Sequence, residues 1–324
     1  MSTKTDILTI LENQRESFLS GQELAEQLNI SRNSVWKAIK SLQEDGHSIH
    51  AVQNKGYRLD ENSDLLSEEG IRLHLPEELK GIGISVFKTL DSTNTQAKKL
   101  ALEGAPHGTV ILGEEQTAGR GRFGKGFVSP PSGGLYMSII LKPTAETAEP
   151  QLITVAAAVA ACRAIEKESG LTPQIKWVND LYLNGKKICG ILSEAVADFE
   201  SGTIESIVVG IGINCTTKPE SFPKSLREIA GSLDAKGLSR NRLAADIIGD
   251  ILSGFQDLKN PGLMEEYRRR SLMLGREISF ERDGETMSAL VTGINDMGNL
   301  LVRRHDGTEL VLLGGEVSLG RLPE

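Results

Sequence analysis

Cysteine is scarce in this chain: Cys162, Cys189 and Cys215 lie far apart and never at CxxC spacing. That argues against a disulfide or zinc framework and fits a reducing, cytoplasmic setting. Histidine is nearly as sparse. His47, His50, His74, His107 and His305 are scattered outside the motifs of the central block, and no Ser-His-Asp or Cys-His arrangement is evident, so covalent catalysis by the protein is not expected. Long apolar runs are missing too. The most apolar stretch, Leu152 to Ile165, is Ala-rich and shorter than the ~20 residues of a membrane helix, which predicts a buried helix and no membrane partner. The start, MSTKTDILTI, does not read as a signal peptide. No excess of basic charge exists: the formal net charge is −8, so any nucleic-acid contact must be local. What is present is ordinary for a soluble globular protein, 39% hydrophobic and 25% charged. At 324 residues the chain suits two or three domains, since single cores stop growing near ~250 residues.

The first sixty residues read as a winged helix-turn-helix. Ile7, Ile10 and Leu11 stand at helical spacing. Ser20-Gly21-Gln22-Glu23 is a capping box, followed by Leu24 and Leu28 as the stripe of a second helix. Asn29-Ile30 turns the chain, and Ser31 caps a third helix with Val35, Ala38, Ile39 and Leu42 inside. A hairpin follows, His47–Val52 and Tyr57–Leu59, turning at Asn54-Lys55-Gly56. Residues 1–30 carry two basic and five acidic side chains, whereas residues 31–59 carry five basic and two acidic. Positive charge therefore collects on the third helix and the wing, where DNA phosphates would lie. Ser31, Arg32, Asn33, Ser34, Lys37 and Lys55 are the candidate DNA contacts, the competing reading being a three-helix protein-interaction module with solvated charges. Two half-sites bind better than one, so a homodimer on DNA is expected.

The central block mixes strands and helices. A strand over Ile82–Thr89 leads to Asp91-Ser92-Thr93-Asn94, which opens a helix through Leu102; Ser92 or Thr93 could serve only as an N-cap, or could meet a small polar ligand. Gly119-Arg120-Gly121-Arg122-Phe123-Gly124-Lys125-Gly126 puts four glycines and three cations into eight residues, between strands Thr109–Leu112 and Leu135–Leu141. Glycines let the backbone approach an anion, and the cations neutralise phosphate. No Rossmann or P-loop context fits, because Ser129-Pro130-Pro131 follows and the GK[ST] ending is absent; a plain flexible loop is the alternative. Gln174–Leu183 reads as one strand ending in the polar Lys176-Trp177-Val178-Asn179-Asp180 cluster, turning at Asn184-Gly185 into a second strand, Lys186–Glu194. This hairpin brings Asp180 to Lys187, either as a simple cross-strand salt bridge or as a lysine aimed at a ligand. The strand Ile204–Ile213 ends in Gly210-Ile211-Gly212-Ile213-Asn214, with glycines that suggest close approach of a flat ligand.

Together Asp91–Asn94, Gln116 with Gly119–Lys125, KWVND, Lys186–Gly190 and Gly210–Asn214 resemble, in order and spacing over essentially the whole chain, the biotin protein ligases. The N-terminal module resembles that of the bifunctional subgroup that also represses biotin genes. The resemblance implies an α+β multidomain fold: a winged helix-turn-helix (1–63), a central mixed α/β ligase domain of the biotin/lipoate type (67–271), and a small SH3-like β-barrel (272–324). It implies that biotin is adenylated by ATP with Mg²⁺ to biotinyl-5′-AMP. The biotinyl group then passes to a lysine of the biotin carboxyl carrier protein domain of acetyl-CoA carboxylase, and the adenylate acts as corepressor. Metal is expected only as Mg²⁺ carried by ATP.

The implied catalytic residues are Lys187, Arg120, Arg122 and Asp180. Ser92, Thr93, Asn94, Gln116, Gly119, Gly121 and Gly190 would join Arg120, Arg122 and Lys187 around biotin. Phe123, Lys125, Phe127, Lys176, Asn179, Gly210 and Asn214 would join Arg122 around ATP or the adenylate, with Gly210 and Asn214 facing adenine. Two positions depart from the family pattern: Val178 replaces the usual Pro, with the strand expected to survive, and Phe127 stands where Trp is common. The Gly-rich loop is expected to order on ligand binding and so to favour dimerisation. The tail reads as strands Glu277–Glu281, Met287–Thr292, Asn299–Arg303 and Thr308–Leu313, with turns at Asp283-Gly284, Asp296–Gly298 and Asp306-Gly307. A ligase acting on lipoate or octanoate and a non-catalytic biotin sensor are the alternatives; the winged module and GRGRFGK weigh against the first, and the intact Arg120, Arg122, Asp180 and Lys187 against the second.

Overall fold

The computed structural model describes residues 3–60, 63–131, 133–144, 147, 149–197, 203–282 and 284–319. They form two compact units, Met1–Gly81 with Ser239–Asp246, and Ile82–Leu238 with Ile247–Glu324.

The first unit contains α1 (Thr3–Asn13), α2 (Gly21–Leu28), α3 (Arg32–Glu44), the hairpin β1 (Ile49–Val52) and β2 (Gly56–Leu59), and α4 (Glu68–His74). The capping box is closed: Ser20 Oγ accepts from the Glu23 N–H at 3.1 Å, and the Ser20 N–H donates to Glu23 Oε2 at 2.7 Å. Asn29 ends α2 in the left-handed conformation (φ 52°), a geometry Asn tolerates better than most side chains. Ser31 Oγ accepts from the Ser34 N–H and starts α3. Ile7, Leu11, Leu24, Val35, Ile39, Leu42 and Leu59 close one core, while Leu28 and Ile10 are only partly buried against it. Arg32, Asn33, Trp36 and Lys37 stand on the open side of α3, and Lys55 at the tip of the wing.

Residues 239–246 complete this unit from far along the chain. The Arg240 side chain is 5% exposed, and its Nε donates to Asp64 Oδ2 at 2.7 Å. Asn241 Oδ1 accepts from the Ser67 N–H, and its Nδ2 donates to the Leu65 carbonyl. A local sequence pattern could not announce a partnership across more than 170 residues.

In the second unit a seven-stranded sheet runs in the order β3-β4-β5-β9-β8-β7-β6. Its strands are β3 (Ile84–Phe87), β4 (Val110–Gly113), β5 (Gly134–Leu141), β6 (Gln174–Lys176), β7 (Asp180–Leu183), β8 (Lys186–Ala197) and β9 (Ile204–Asn214). Only the β3–β4 pairing is parallel. One face is covered by α5 (Thr93–Leu102), whose Ala97 and Ala101 pack on Ile111, Ile140 and Val208. The other is covered by α6 (Pro150–Ser169), the expected apolar helix, whose Thr154 hydroxyl donates to Ser193. The part of α7 (Arg240–Gly254) beyond Asp246 belongs to this unit, and α8 (Pro261–Arg270) follows.

One expected element is different. Residues 174–183 do not form a single strand: β6 and β7 run antiparallel, with Lys176 paired to Asp180 around a turn at 177–179. That turn is pinned by tertiary contacts, and the Trp177–Val178 peptide within it is cis. The buried Trp177 indole donates to the Gly298 carbonyl at 2.8 Å, and the Tyr267 hydroxyl donates to the Val178 carbonyl at 3.0 Å. The tail forms an antiparallel sheet of β10 (Glu277–Arg282), β11 (Glu285–Ile294), β12 (Leu300–Arg303), β13 (Glu309–Leu312) and β14 (Val317–Leu319), ordered β13-β12-β11-β10-β14. Its fifth strand was not foreseen; in the expected turn Asp283-Gly284, Asp283 lies outside the described residues.

Candidate active site

A cavity of about 420 Å³ opens on the α5 face of the large sheet, within the range usual for small-molecule sites. Its floor is made of glycines on β8 and β9. A Cβ at Gly210 would overlap Asn94 Oδ1, and one at Gly212 would run into the Phe127 ring. These positions therefore need glycine because side chains from α5 and from the Gly-rich loop already lie against the backbone.

The register of the β7–β8 hairpin selects what faces the cavity. Asn184 and Gly185 both have positive φ (49° and 75°), as a two-residue hairpin turn requires. Lys187 pairs with Tyr182, the register then shifts, and Asp180 pairs with Gly190. This bulge turns Gly190, rather than Cys189, to the cavity and buries Cys189 on the other side. Lys187 Nζ lies 2.7 Å from Asp180 Oδ1 as an ion pair, not aligned as a hydrogen bond. The outer edge of Lys187 is held by residues 229–231: its N–H donates to Ile229, and its carbonyl accepts from Gly231.

The Gly-rich segment folds on itself as a narrow loop. The Phe127 N–H donates to Gly119, the Gly121 N–H donates to Lys125, and Phe123 and Gly124 turn at the tip with φ of 54° and 73°. Arg122 Nη1 donates to Asn179 Oδ1 at 3.2 Å, Arg120 pairs with Glu194 at 3.1 Å, and Lys125 pairs with Glu316 at 2.7 Å. Gly119 is not among the residues lining the cavity; its carbonyl is the hinge bond of this loop.

At the α5 end, Ser92 occupies the N-cap position but its side chain makes no cap hydrogen bond, so capping does not account for it. The Thr93 N–H donates to Gln116 Oε1 at 2.8 Å, and Gln116 Nε2 donates to Ser129 Oγ at 2.7 Å. The Ser138 hydroxyl lies 2.6 Å from Asn94 Oδ1 and 2.8 Å from Thr93 Oγ1. Gly210 sits beneath Asn94, at this end of the floor. Asn214, two positions beyond Gly212 on the same face, donates to the Gly231 carbonyl at the other end. The two were expected to share one moiety of the ligand; the strand's length separates them.

Charge is concentrated here. Arg120, Arg122, Lys125, Lys176 and Lys187 line the cavity against two carboxylates, Asp180 and Glu316. Burial lowers the pKa of Arg122 and of Lys176, partly opposed by Asp180. Cations that are desolvated and outnumber their carboxylate partners form a receptor for an anion such as phosphate. Among the described residues no group of three His, Cys, Asp or Glu could hold a metal ion. No described helix is long and apolar enough to cross a membrane.

Sequence reading missed Glu194, Ser138, Tyr182 and Glu316. Glu194 and Ser138 fall at alternating positions of apolar strands, where a polar residue turned inward was the available signal. Glu316 lies in the distant small domain and gave none.

Three family models match the chain: the biotin/lipoate A/B protein ligase family over residues 86–214, an HTH domain over 3–58, and the biotin protein ligase C-terminal domain over 273–320. The bifunctional ligase/repressor BirA of Bacillus subtilis is 35% identical over 98% of both chains, and that of Escherichia coli 29% identical over 93% of both. The biotin protein ligase of Aquifex aeolicus, solved with biotin and ATP, superposes with a TM-score of 0.63 at 25% identity, covering 74% of this chain and 99% of that one. With a winged helix-turn-helix, a biotin/lipoate-type ligase domain and the matching C-terminal domain in one polypeptide, the chain belongs to the family of bifunctional ligase/repressors.

Proposed function

We propose that this protein is an ATP-dependent biotin–[biotin carboxyl carrier protein] ligase that also binds operator DNA as a repressor. The observation that carries the catalytic half is one cavity lined at one end by the neutral side chains of Ser92–Asn94 and Gln116, with five cations supplied by the Gly-rich loop and by strands β6 and β8. That polarity matches a ligand with a neutral ring system at one end and phosphates at the other. Ser92, Thr93, Asn94 and Gln116 take the biotin end, and Phe127 covers the glycine floor. Arg120, Arg122 and Lys187 lie near the junction where carboxylate meets α-phosphate, and Lys125, Lys176, Asn179 and Asn214 serve the nucleotide.

In the first step a biotin carboxylate oxygen bonds to the α-phosphorus as the bond to the β-phosphate oxygen breaks, and pyrophosphate leaves. Charge grows on phosphate oxygens, so positioned cations do the catalysis. Magnesium would be brought by the nucleotide phosphates, which it would help neutralise. In the second step the neutral amine of a carrier lysine bonds to the acyl carbon, AMP leaves, and one proton is released. In this reading Asp180 either orients Lys187 or receives that amine.

The repressor half rests on α3 and the wing, with Ser31, Arg32, Asn33, Ser34, Lys37 and Lys55 toward DNA. Ordering of the Gly-rich loop by biotinyl-5′-AMP would promote a homodimer able to hold two half-sites, in a cytoplasmic protein. The division into 1–63, 67–271 and 272–324 assigns DNA binding, catalysis, and support of nucleotide or carrier to successive segments.

The test is ATP–pyrophosphate exchange by the purified protein with Mg²⁺ and either biotin, lipoate, octanoate or no acid. Exchange with biotin alone is expected. Exchange with lipoate instead would mean a different acid, and none with any acid would leave a non-catalytic sensor.

A further inference from the structure

Glu194 stands outside the cavity lining, yet its carboxylate binds both halves of the site. One oxygen accepts from Asn94 Nδ2 at 2.9 Å. The other lies 2.9 Å from Lys98 Nζ and 3.1 Å from Arg120 Nη2. Asn94 and Lys98 belong to α5, Arg120 to the Gly-rich loop, and Glu194 to β8, so one side chain ties together three segments that border the cavity. Its side chain is only 20% exposed, against 45% for Arg120, so the carboxylate is the more enclosed member of the pair.

We propose that Glu194 is a positioning residue that seats Arg120 of the Gly-rich loop beside the ring-binding end of the cavity while fixing the Asn94 amide. This rests on the ligase reading for its enzymatic part, but the seating itself is a property of the chain alone.

The Asn94 amide has its orientation decided by two neighbours. Its Nδ2 faces Glu194 and the Leu192 carbonyl, and its Oδ1 faces the Ser138 hydroxyl. A carboxylate and a carbonyl can only accept, so Glu194 and the Leu192 carbonyl together point the NH₂ group to β8, with the carboxylate making the shorter bond. On the first arm of the loop the Arg120 side chain has this ion pair beside the backbone bonds of Ala118, Gly119 and Gly121, whereas Arg122 and Lys125 are held by Asn179 and Glu316. Burial alone would raise the pKa of Glu194, but hydrogen bonds from Asn94 and Lys98 and the nearby charges outweigh it and keep the group ionised at neutral pH.

Glu194→Gln keeps the shape and an acceptor but removes the charge, and Glu194→Asp keeps the charge with a shorter reach. Lys98→Met is the control, since it removes a cation from the same carboxylate without touching Arg120 or Asn94. Two readouts are made on the full chain. The first is the rate of trypsin cleavage after Arg120 without ligand, and the second is the biotin KM and kcat in pyrophosphate exchange.

Glu194→Gln is expected to speed cleavage at Arg120 and to raise the biotin KM by roughly five- to tenfold, the scale of one partly exposed charge-assisted contact. Glu194→Asp should fall between it and the parent, and decides the matter if the Gln variant does not fold. Lys98→Met should leave both readouts near the parent. Unchanged cleavage and KM in the Glu194 variants, or an equal change in Lys98→Met, overturns the proposal. The cleavage arm needs no substrate. An increase there with no biotin-dependent exchange in the parent would therefore sustain the seating while removing the ligase reading.

Discussion

Gly210 shows how much a single missing side chain controls. Its Cα lies so close to Asn94 that a methyl group would overlap the amide oxygen. Gly210→Ala is therefore expected to push Asn94 off Ser138 and weaken biotin binding at least tenfold, while thermal stability changes less; titration calorimetry with biotin would show it, and unchanged affinity would mean the floor yields easily. Lys187 is the complementary case, a charge rather than a gap. Lys187→Ala should lower the rate of pyrophosphate exchange by about 10²–10³, the usual loss when one donor to developing charge is removed. The polar and charged residues of the cavity were legible because glycines and cations cluster in short segments. Glu194, Ser138 and Glu316 were not, because each acts through a fold-generated neighbour more than 40 residues away.

At the scale of elements, local chemistry spoke clearly wherever an element is set by its own residues. The capping box at Ser20 and the turn at Asn184-Gly185 needed no tertiary partner to be recognised. The 174–183 segment misled for the opposite reason: its apolar run suits a strand, but contacts from Tyr267 and Gly298 hold residues 177–179 as a turn. Similarly, the bulge that presents Gly190 depends on β9 and on residues 229–231 flanking β8, which no hairpin pattern contains. Element α3 carries its own expectation. Lys37 is exposed on the outward side, so Lys37→Ala should weaken DNA binding almost equally across sequences and reduce the salt slope of log K by about 0.9. Filter-binding or anisotropy titrations at several salt concentrations measure this, and a slope equal to the parent's would take Lys37 off the phosphates.

For the whole molecule, the response to acid follows from its buried groups. His47, His74 and His107 have pKa values lowered by burial, so the unfolded chain takes up their protons first and stability declines as pH falls below 6.5. Glu166 is lowered by its hydrogen bonds from Arg270. In Glu266 burial works upward but is outweighed by Arg163 and Arg270, and Glu194 behaves alike. Carboxylates lowered in the folded state contribute fully above their ordinary value of 4.5, and that contribution is lost as pH falls below it. A shallow decline below pH 6.5 followed by a steeper one below 4.5 is expected in denaturant midpoints measured across that range; greater stability at pH 5 than at pH 7 would contradict it. Arg240→Ala should cost the first unit roughly 1.5–3 kcal/mol, because it removes the buried, charge-assisted hydrogen bonds of Arg240 to the partly exposed Asp64. The loss should appear in a transition monitored by Trp36, one of the chain's two tryptophans, in a background where Trp177 is replaced by Phe.

The same Arg240 sets a rule for cutting and splicing this polypeptide. The DNA-binding unit is borrowed in part from the catalytic stretch of sequence, so it has no single seam. A ligase shortened to begin after Leu66 would lose Asp64 and Leu65, the segment that Arg240 and Asn241 bond at the start of α7. Shortened ligases of this kind should therefore need compensating changes at 240 and 241. Grafting another DNA-binding module onto this ligase would require exchanging those two positions together with the N-terminal segment.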